Sequence, residues 1–168
     1  MNHILGETKQ QIRAETLQEN IEAAIAMVKQ SRYSIDIFTQ DMDSDIYNNE
    51  AIEQYIFELA KRHPSTRIRV LVQDSTRAAQ NGHCLVRLAQ TLTSSVFINK
   101  PSREYKDEIS AFMVADQLGV MHRVSAKRKN YNTSISFMSP QHAKKLTELF
   151  TEVWEHSTPD EQTRRLYV

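Results

Sequence analysis

Three stretches of the chain carry side chains whose types and spacing could do chemistry. The first brackets an apolar hairpin pattern: Glu104, Tyr105, Asp107 and Glu108 precede it, and His122 and Arg123 close it. If these groups meet at the open end of a hairpin, Arg123 either pairs with Glu108 or clamps an anion through its forked guanidinium. A buried charge must be paired in either case, so an internal ion pair and a ligand pocket both account for the residues. The second stretch is Thr39-Gln40-Asp41-Met42-Asp43-Ser44-Asp45. Its Asp-x-Asp-x-Asp spacing matches the start of a calcium loop, which also needs glycine at the sixth position and glutamate at the twelfth. Those positions hold Ile46 and Ile52. The alternative is a polar loop leading into a helix cap. The third is His83-Cys84, beside Gly82 near a helix start. A neutral histidine there either donates to a backbone carbonyl or faces a pocket. Cys84 lacks the histidine–asparagine pattern of a thiol nucleophile, and the sequence has no His-Glu-x-x-His or paired Cys-x-x-Cys that would read as zinc-binding. Two further groups have a plainer reading. Lys127-Arg128-Lys129 with Tyr131 could touch phosphate or nucleic acid but reads as a solvated loop, and Phe150 and Trp154 read as core rather than as a stacking platform.

The elements that must position these groups follow from periodicity. Residues 1–8 are a lead-in with an edge strand near 3–5, followed by a helix over 9–30 whose Leu17, Ile21, Ala24, Ile25 and Val28 form one stripe. A strand at 34–38 runs into the polar 39–45 loop, and in open α/β sheets ligands bind beyond the carboxyl ends of strands. Asn48 or Asn49 caps the next helix, whose stripe is Ile52, Tyr55, Ile56, Leu59 and Ala60, with Pro64 just past its end. A strand spans 67–72. Asp74 or Ser75 opens a helical turn that Asn81-Gly82 interrupts, and Leu85, Leu88, Ala89 and Leu92 continue it. A strand at 95–99 stops at Pro101. In the 105–124 stretch, residues 109–115 are apolar almost throughout, as a strand buried on both faces should be. Asp116-Gln117-Leu118-Gly119 is the turn, with Gly119 free to take positive φ, and 120–124 runs back. The last strand is 133–138. Ser139-Pro140 is a cap followed by a first-turn proline, and the helix it starts buries Ala143, Leu146, Leu149, Phe150, Val153 and Trp154. Residues 157–168 read as a loose tail. Helices alternate with strands early and a hairpin interrupts late, so the expected fold class is α/β: one domain over 1–168, a mixed sheet with helices on both faces.

Bulk composition narrows the function. The 168 residues suit one domain with a sizeable core, and 21 Lys plus Arg balance 21 Asp plus Glu. A neutral chain has no global basic field, so nucleic acid is not the expected partner. One cysteine fits a reducing compartment. No apolar run approaches the ~20 residues of a membrane span and no secretion signal is visible, so no membrane is expected and the cytoplasm is the expected location. Only three glycines and four prolines argue against disorder and against a glycine-built phosphate loop.

The order of elements and three segments carry a resemblance. SIDIFTQ after the opening helix, AFMVADQLGVMHR, and NTSISFMSPQHAKKLTELFTEVW together resemble one half of a phospholipase D-type domain, from about Leu17 to Trp154. TQDMDSDIYNNEAIEQYIFELA and NGHCLVRLAQ are similar to a small bacterial family of such domains without assigned activity, whose members resemble segments fused behind acetyltransferase domains. The resemblance implies a signature of His-x-Lys, four residues and Asp, followed by Gly-Ser-x-Asn. In that chemistry a histidine attacks phosphorus, the lysine offsets developing charge, and a second histidine protonates the leaving oxygen. With Asp116 as the signature aspartate, Ile109 stands at the histidine position, Ala111 at the lysine position, and Arg123-Val124 at Gly-Ser. A one-residue slip would place Glu108 or Ser110 at the histidine position. The expected function is a noncatalytic binding or interaction module for an anionic ligand or a protein partner. The candidate ligand-binding residues are Gln40, Asp41, Asp43, His83, Tyr105, Glu108, His122 and Arg123, with no catalytic residue, metal or cofactor assigned. The alternatives are a divergent phosphodiesterase or phosphatidyltransferase with relocated catalytic residues, and a structural dimerisation domain. Single-motif members of the superfamily complete their site from two chains, so the resemblance also allows a homodimer.

Overall fold

The computed structural model describes residues 2–127 and 130–164. In chain order the elements are β1 (Ile12–Ala14), α1 (Leu17–Gln30), β2 (Ser34–Thr39), α2 (Ser44–Tyr47), α3 (Glu50–Arg62), β3 (Arg67–Val72), α4 (Thr76–Gln80), α5 (Cys84–Thr91), β4 (Val96–Lys100), β5 (Ala111–Ala115), β6 (Gly119–Arg123), β7 (Thr133–Ser136), α6 (Pro140–Glu155) and β8 (Thr158–Pro159). The strands form one sheet in the order β1-β7-β6-β5-β2-β3-β4-β8. β2, β3 and β4 are parallel, and the other pairings are antiparallel. The carboxyl ends of β2, β3, β4 and β6 therefore lie along one edge of the sheet, here called the top, and the β5–β6 turn lies along the bottom.

Side-chain alternation sends successive residues to opposite faces. On one face Ile35, Ile37, Ile68, Val70, Met113, Ala115, Met121 and Ile135 pack beneath α1, α3 and α5 in the larger core. On the other, Phe38, Leu71, Phe112, Val114 and Val120 pack against Ala143, Leu146, Phe150 and Val153 of α6. Helices thus cover both faces, but among the described residues only α6 packs on the second, which leaves part of it open.

Three local expectations are corrected. The first helix starts at Leu17, eight residues later than its periodicity suggests. Thr16 caps the Glu19 N–H and Glu19 reaches back to the Thr16 N–H, a complete capping box. The residues before it form the edge strand β1, paired with β7, in place of a strand near 3–5. In the hairpin, Asp116 and Gln117 take the left-handed backbone (φ 53° and 57°), and the Leu118 N–H bonds the Ala115 carbonyl. Positive φ at both central residues of this turn suits the right-handed twist of the flanking strands, whose register pairs Ala115 with Gly119 across a three-residue connection. Gly119 does not take positive φ, and a Cβ there would lie 2.5 Å from Leu5 Cδ1 and 3.2 Å from the Met27 sulfur, so those side-chain ends would have to shift to admit one. Finally, the segment after His156 is not loose through residue 164. β8 pairs with β4, and buried Asp160 accepts a 2.6 Å bond from the Ser75 hydroxyl and caps the Thr163 N–H. Residues 165–168 of the expected tail lie outside the described residues.

Candidate functional site

The 39–45 loop leaves the top of β2 through a strained backbone. Met42 (φ 80°) and Asp43 (φ 43°) are consecutive non-glycine residues in the left-handed region. Each such residue costs on the order of 1–3 kcal/mol and persists only where surrounding contacts dictate it. Here they do. The Thr39 hydroxyl accepts from the Met42 N–H at 3.0 Å and donates to Asp43 Oδ2 at 2.8 Å, and the Asp41 carboxylate accepts from the Asp43 N–H at 3.0 Å. Below the loop, Met42 is fully buried and its carbonyl meets His83 Nε2 at 3.1 Å.

This geometry delivers Asp43 to Arg123 at the end of β6. Arg123 Nη2 lies 2.6 Å from Asp43 Oδ1, with the side chains 7% and 14% exposed, so the pair is close to dry. Arg123 Nη1 also donates to the Asn130 carbonyl. Burial is the largest single influence on the guanidinium and acts to lower its pKa, but the charge and hydrogen bond of Asp43, with Tyr47 and Asp41, together raise it above its ordinary value. Nearby, burial and the Asp43 charge push the Tyr47 phenol well above its ordinary range. The cleft above the pair has a volume of about 390 Å³ and is walled by Gln40, Asp41, Asp45, Arg77 and Tyr131. Tyr131 donates to Asp45 Oδ2 at 2.7 Å. The three aspartates of the loop therefore face three different partners: a backbone amide, a guanidinium and a phenol.

Of the eight predicted site residues, Gln40, Asp41, Asp43 and Arg123 meet at this cleft. Arg123 pairs with Asp43, whereas Glu108 was its expected partner. Glu108 instead accepts from the Ser110 hydroxyl at 2.7 Å, and Gln40 Nε2 donates to the carbonyls of Glu108 and Ser110, which ties the loop to the lead into β5. His122 neighbours Arg123 in one strand and so occupies the opposite face. It packs edge-on to Phe112, with Nδ1 3.1 Å from His142 Nε2. Burial, then the neighbouring His142, lowers the pKa of His122. The Tyr105 ring lies tilted at 51° to that of His156, away from the cleft, and the Tyr105 carbonyl accepts from Gln73. His83 is fully buried with both ring nitrogens engaged, Nδ1 accepting from the Leu85 N–H and Nε2 facing Met42 O. Burial lowers its pKa to about 4, so it is neutral and structural in this fold. Arg77 and Asn81 line the cleft but were not expected, and Tyr131, read with the basic loop as a possible phosphate contact, lines it too. Arg128 and Lys129 of the basic loop lie outside the described residues.

Asp116 is fixed at the bottom of the sheet. Its carboxylate accepts the backbone N–H groups of Arg32, Tyr33 and Ser34 at 2.8–3.1 Å. It fastens the hairpin turn to the start of β2.

Comparison with known proteins places the fold. The chain is similar to TrmBL2, an archaeal chromatin protein whose structure shows a novel mode of DNA binding, with TM-score 0.65 and 14% identity over 90% of this chain and 54% of that one. It thus spans about half the length of that protein. It is similar to Nuc from Salmonella typhimurium, a phospholipase D family member, with TM-score 0.63 and 9% identity over 90% and 97% of the two chains. It is also similar to NucT from Helicobacter pylori, with TM-score 0.62 and 10% identity over 90% and 100%. The fold is phospholipase D-like, a single half with a mixed sheet between helices. No curated protein sequence matches the chain. Among the described residues no helix is long and apolar enough to cross a membrane. A family model matches residues 16–166, and the chain belongs to that family, the Domain of unknown function (DUF7931).

Proposed function

We propose that the domain is a noncatalytic phospholipase D-like binding module whose ligand occupies the cleft above Arg123 and Asp43. One observation carries the reading. The resemblance puts a phosphate-holding lysine at position 111, and there the chain has a methyl group, 4% exposed, directly across the ladder from Arg123. Position 109, where the attacking histidine would stand, is Ile109. The positive charge in this region belongs to Arg123, which is already bound to Asp43 and cannot act as a nucleophile. An anion in the cleft would meet the exposed guanidinium of Arg77, with Arg123, already paired with Asp43, lining the cleft beside it. A second copy of the chain, as in single-motif members of the superfamily, would be a partner consistent with the resemblance.

Thermal stability of the purified chain with inorganic phosphate and sugar phosphates tests the binding role. One class should raise Tm in proportion to the logarithm of its concentration, and Arg77→Ala should remove the shift while leaving the unliganded Tm unchanged. No shift with any anion would sink the anion reading. The noncatalytic half of the proposal is tested with a generic phosphodiester. The competing enzyme reading has one observation in its favour, the 2.7 Å bond from the Ser110 hydroxyl to Glu108 beside Ile109. Turnover abolished by Ser110→Ala or Glu108→Ala would replace the binding module with an enzyme.

A further inference from the structure

The face of the sheet that α6 only partly covers holds a second cleft, remote in the fold from the one above Arg123. It has a volume of about 520 Å³, within the range of small-molecule sites. Its floor is the open surface of β2, β3 and β4, where Asp36, Arg69 and Phe97 lie in register across adjacent strands. Arg69 holds Asp36 through both carboxylate oxygens, at 2.9 and 3.1 Å. Above it, the guanidinium carbon lies 4.9 Å from the Phe150 ring centre and 5.4 Å from that of Trp154. Those rings are stacked on each other, 5.7 Å apart and 16° from parallel, so the indole on the wall is held rigid. At the bottom end stand Tyr33, 70% exposed, and the exposed Arg67.

The residue types converge on one ligand chemistry. The cleft offers aromatic surface at Tyr33, Phe97 and Trp154, and two guanidiniums against one carboxylate. Asp36 neutralises Arg69, and Arg67, whose Nη1 donates to the Pro64 and Thr66 carbonyls, has no carboxylate partner among the described residues. Aromatic platforms beside an uncompensated arginine are the combination that takes a base by stacking and its phosphate by charge. From these contacts we infer that this cleft binds a nucleotide unit, either free or within a single strand, with the base against the aromatic side chains and a phosphate at Arg67. The neutral balance of the whole chain argues against a protein-wide field for nucleic acid but does not bear on a local groove of this kind. The inference stands apart from the cleft above Arg123 and does not depend on it.

The chain's one tryptophan lines this cleft, so its fluorescence reports on the site directly. The full chain would be titrated with AMP in one arm and with short oligo(dT) and oligo(A) in the other, and binding cross-checked by calorimetry. Saturable quenching is expected, weakened about tenfold or more by Arg67→Glu and severalfold by Tyr33→Ala. Both positions are exposed, so neither variant should fail to fold, and an unchanged Tm verifies this. Arg77→Ala, in the other cleft, should leave the titration unaltered. Saturation by AMP would assign a free nucleotide, and response to the oligonucleotides alone would assign a single strand whose affinity falls with salt. Absence of saturable quenching in both arms, or quenching indifferent to Arg67→Glu and Tyr33→Ala, would overturn the inference.

Discussion

Two arginine–aspartate pairs sit on opposite faces of one sheet, and what surrounds each differs. Arg123 and Asp43 are 7% and 14% exposed beneath a strained loop, and further contacts fix both partners. Arg69 and Asp36 are 24% and 5% exposed on a half-open face, with aromatic rings on one side and a cleft on the other. The first pair holds a backbone conformation that the sequence would not adopt alone. The second holds a surface. Burial raises the pKa of Asp36, and the Arg69 bond and charge only partly offset this. Desolvating Asp36 therefore costs more than its partner returns.

The largest effect should come from breaking the first pair. Arg123→Ala leaves Asp43 buried without its cation, and removing one partner of such a pair costs about 3–5 kcal/mol. The loop loses its anchor as well, so urea unfolding should show the full loss. Asp43→Asn combined with Arg123→Met should recover more than half of it, because no charge is then stranded. If Arg123→Ala costs less than about 1 kcal/mol, as exposed pairs do, the loop is not held in the way described.

At the other end of the sheet, Asp116 offers a comparison without a cation. Its carboxylate meets three backbone amides, and bonds to a charged group are worth more than neutral ones, so Asp116→Ala should cost about 2–3 kcal/mol. Part of that cost comes from φ 53°, which alanine tolerates poorly. Asp116→Gly removes that part and should be milder than alanine in chemical denaturation. Equal costs would assign the whole effect to the hydrogen bonds.

Acid should act on the top edge first. His83 has a folded pKa of about 4 against an ordinary value of 6.5. A depressed histidine pKa means that the unfolded chain binds the proton more readily, so stability is fully present above about 6.5 and falls as pH drops toward 4. His122 and His142 shift in the same direction. Tm measured from pH 7.5 to 4.5 should fall, and His83→Gln should flatten part of that slope while lowering stability at neutral pH. A slope unchanged in His83→Gln would transfer the effect to the His122–His142 contact.

Much of this frame was legible in the sequence, and the omissions have physical causes. The 67–72 strand, the Asn49 cap and the start at Pro140 follow from local signals that tertiary structure has no reason to override. β1 was missed because three residues hold too few alternations to read, although the Thr16–Glu19 capping box that ends it was in plain view. The Arg123–Asp43 pair was not readable because its partners lie on separate elements and meet only through two left-handed residues that no sequence rule predicts at Met42 and Asp43. The separation of His122 from Arg123 was available from strand parity alone: adjacent residues of one strand face opposite ways. The open cleft beside α6 arises from which face the helices choose, a property of the assembled sheet.

The smallest expected effect is the sharpest test of the contrast between the pairs. Arg69→Met alone strands Asp36 and should destabilise by about 1–2 kcal/mol, less than at Arg123 because burial already raises the Asp36 pKa and so eases protonation of the stranded carboxyl. Its thioether can still lie against the rings of Phe150 and Trp154. Adding Asp36→Leu removes the desolvated carboxylate, and the double variant should return to within about 1 kcal/mol of the starting chain. The pH dependence follows with opposite sign to that of His83. The folded pKa of Asp36 is raised above its ordinary 3.8, so the folded state binds the proton more readily and the cost of Asp36 is relieved as pH falls through that raised value. The double variant should therefore lose a small stabilising response to acid that the parent shows once the histidine slope is subtracted. If it stays as unstable as Arg69→Met, the pair on the open face supports the fold as the buried pair does, and the two are alike.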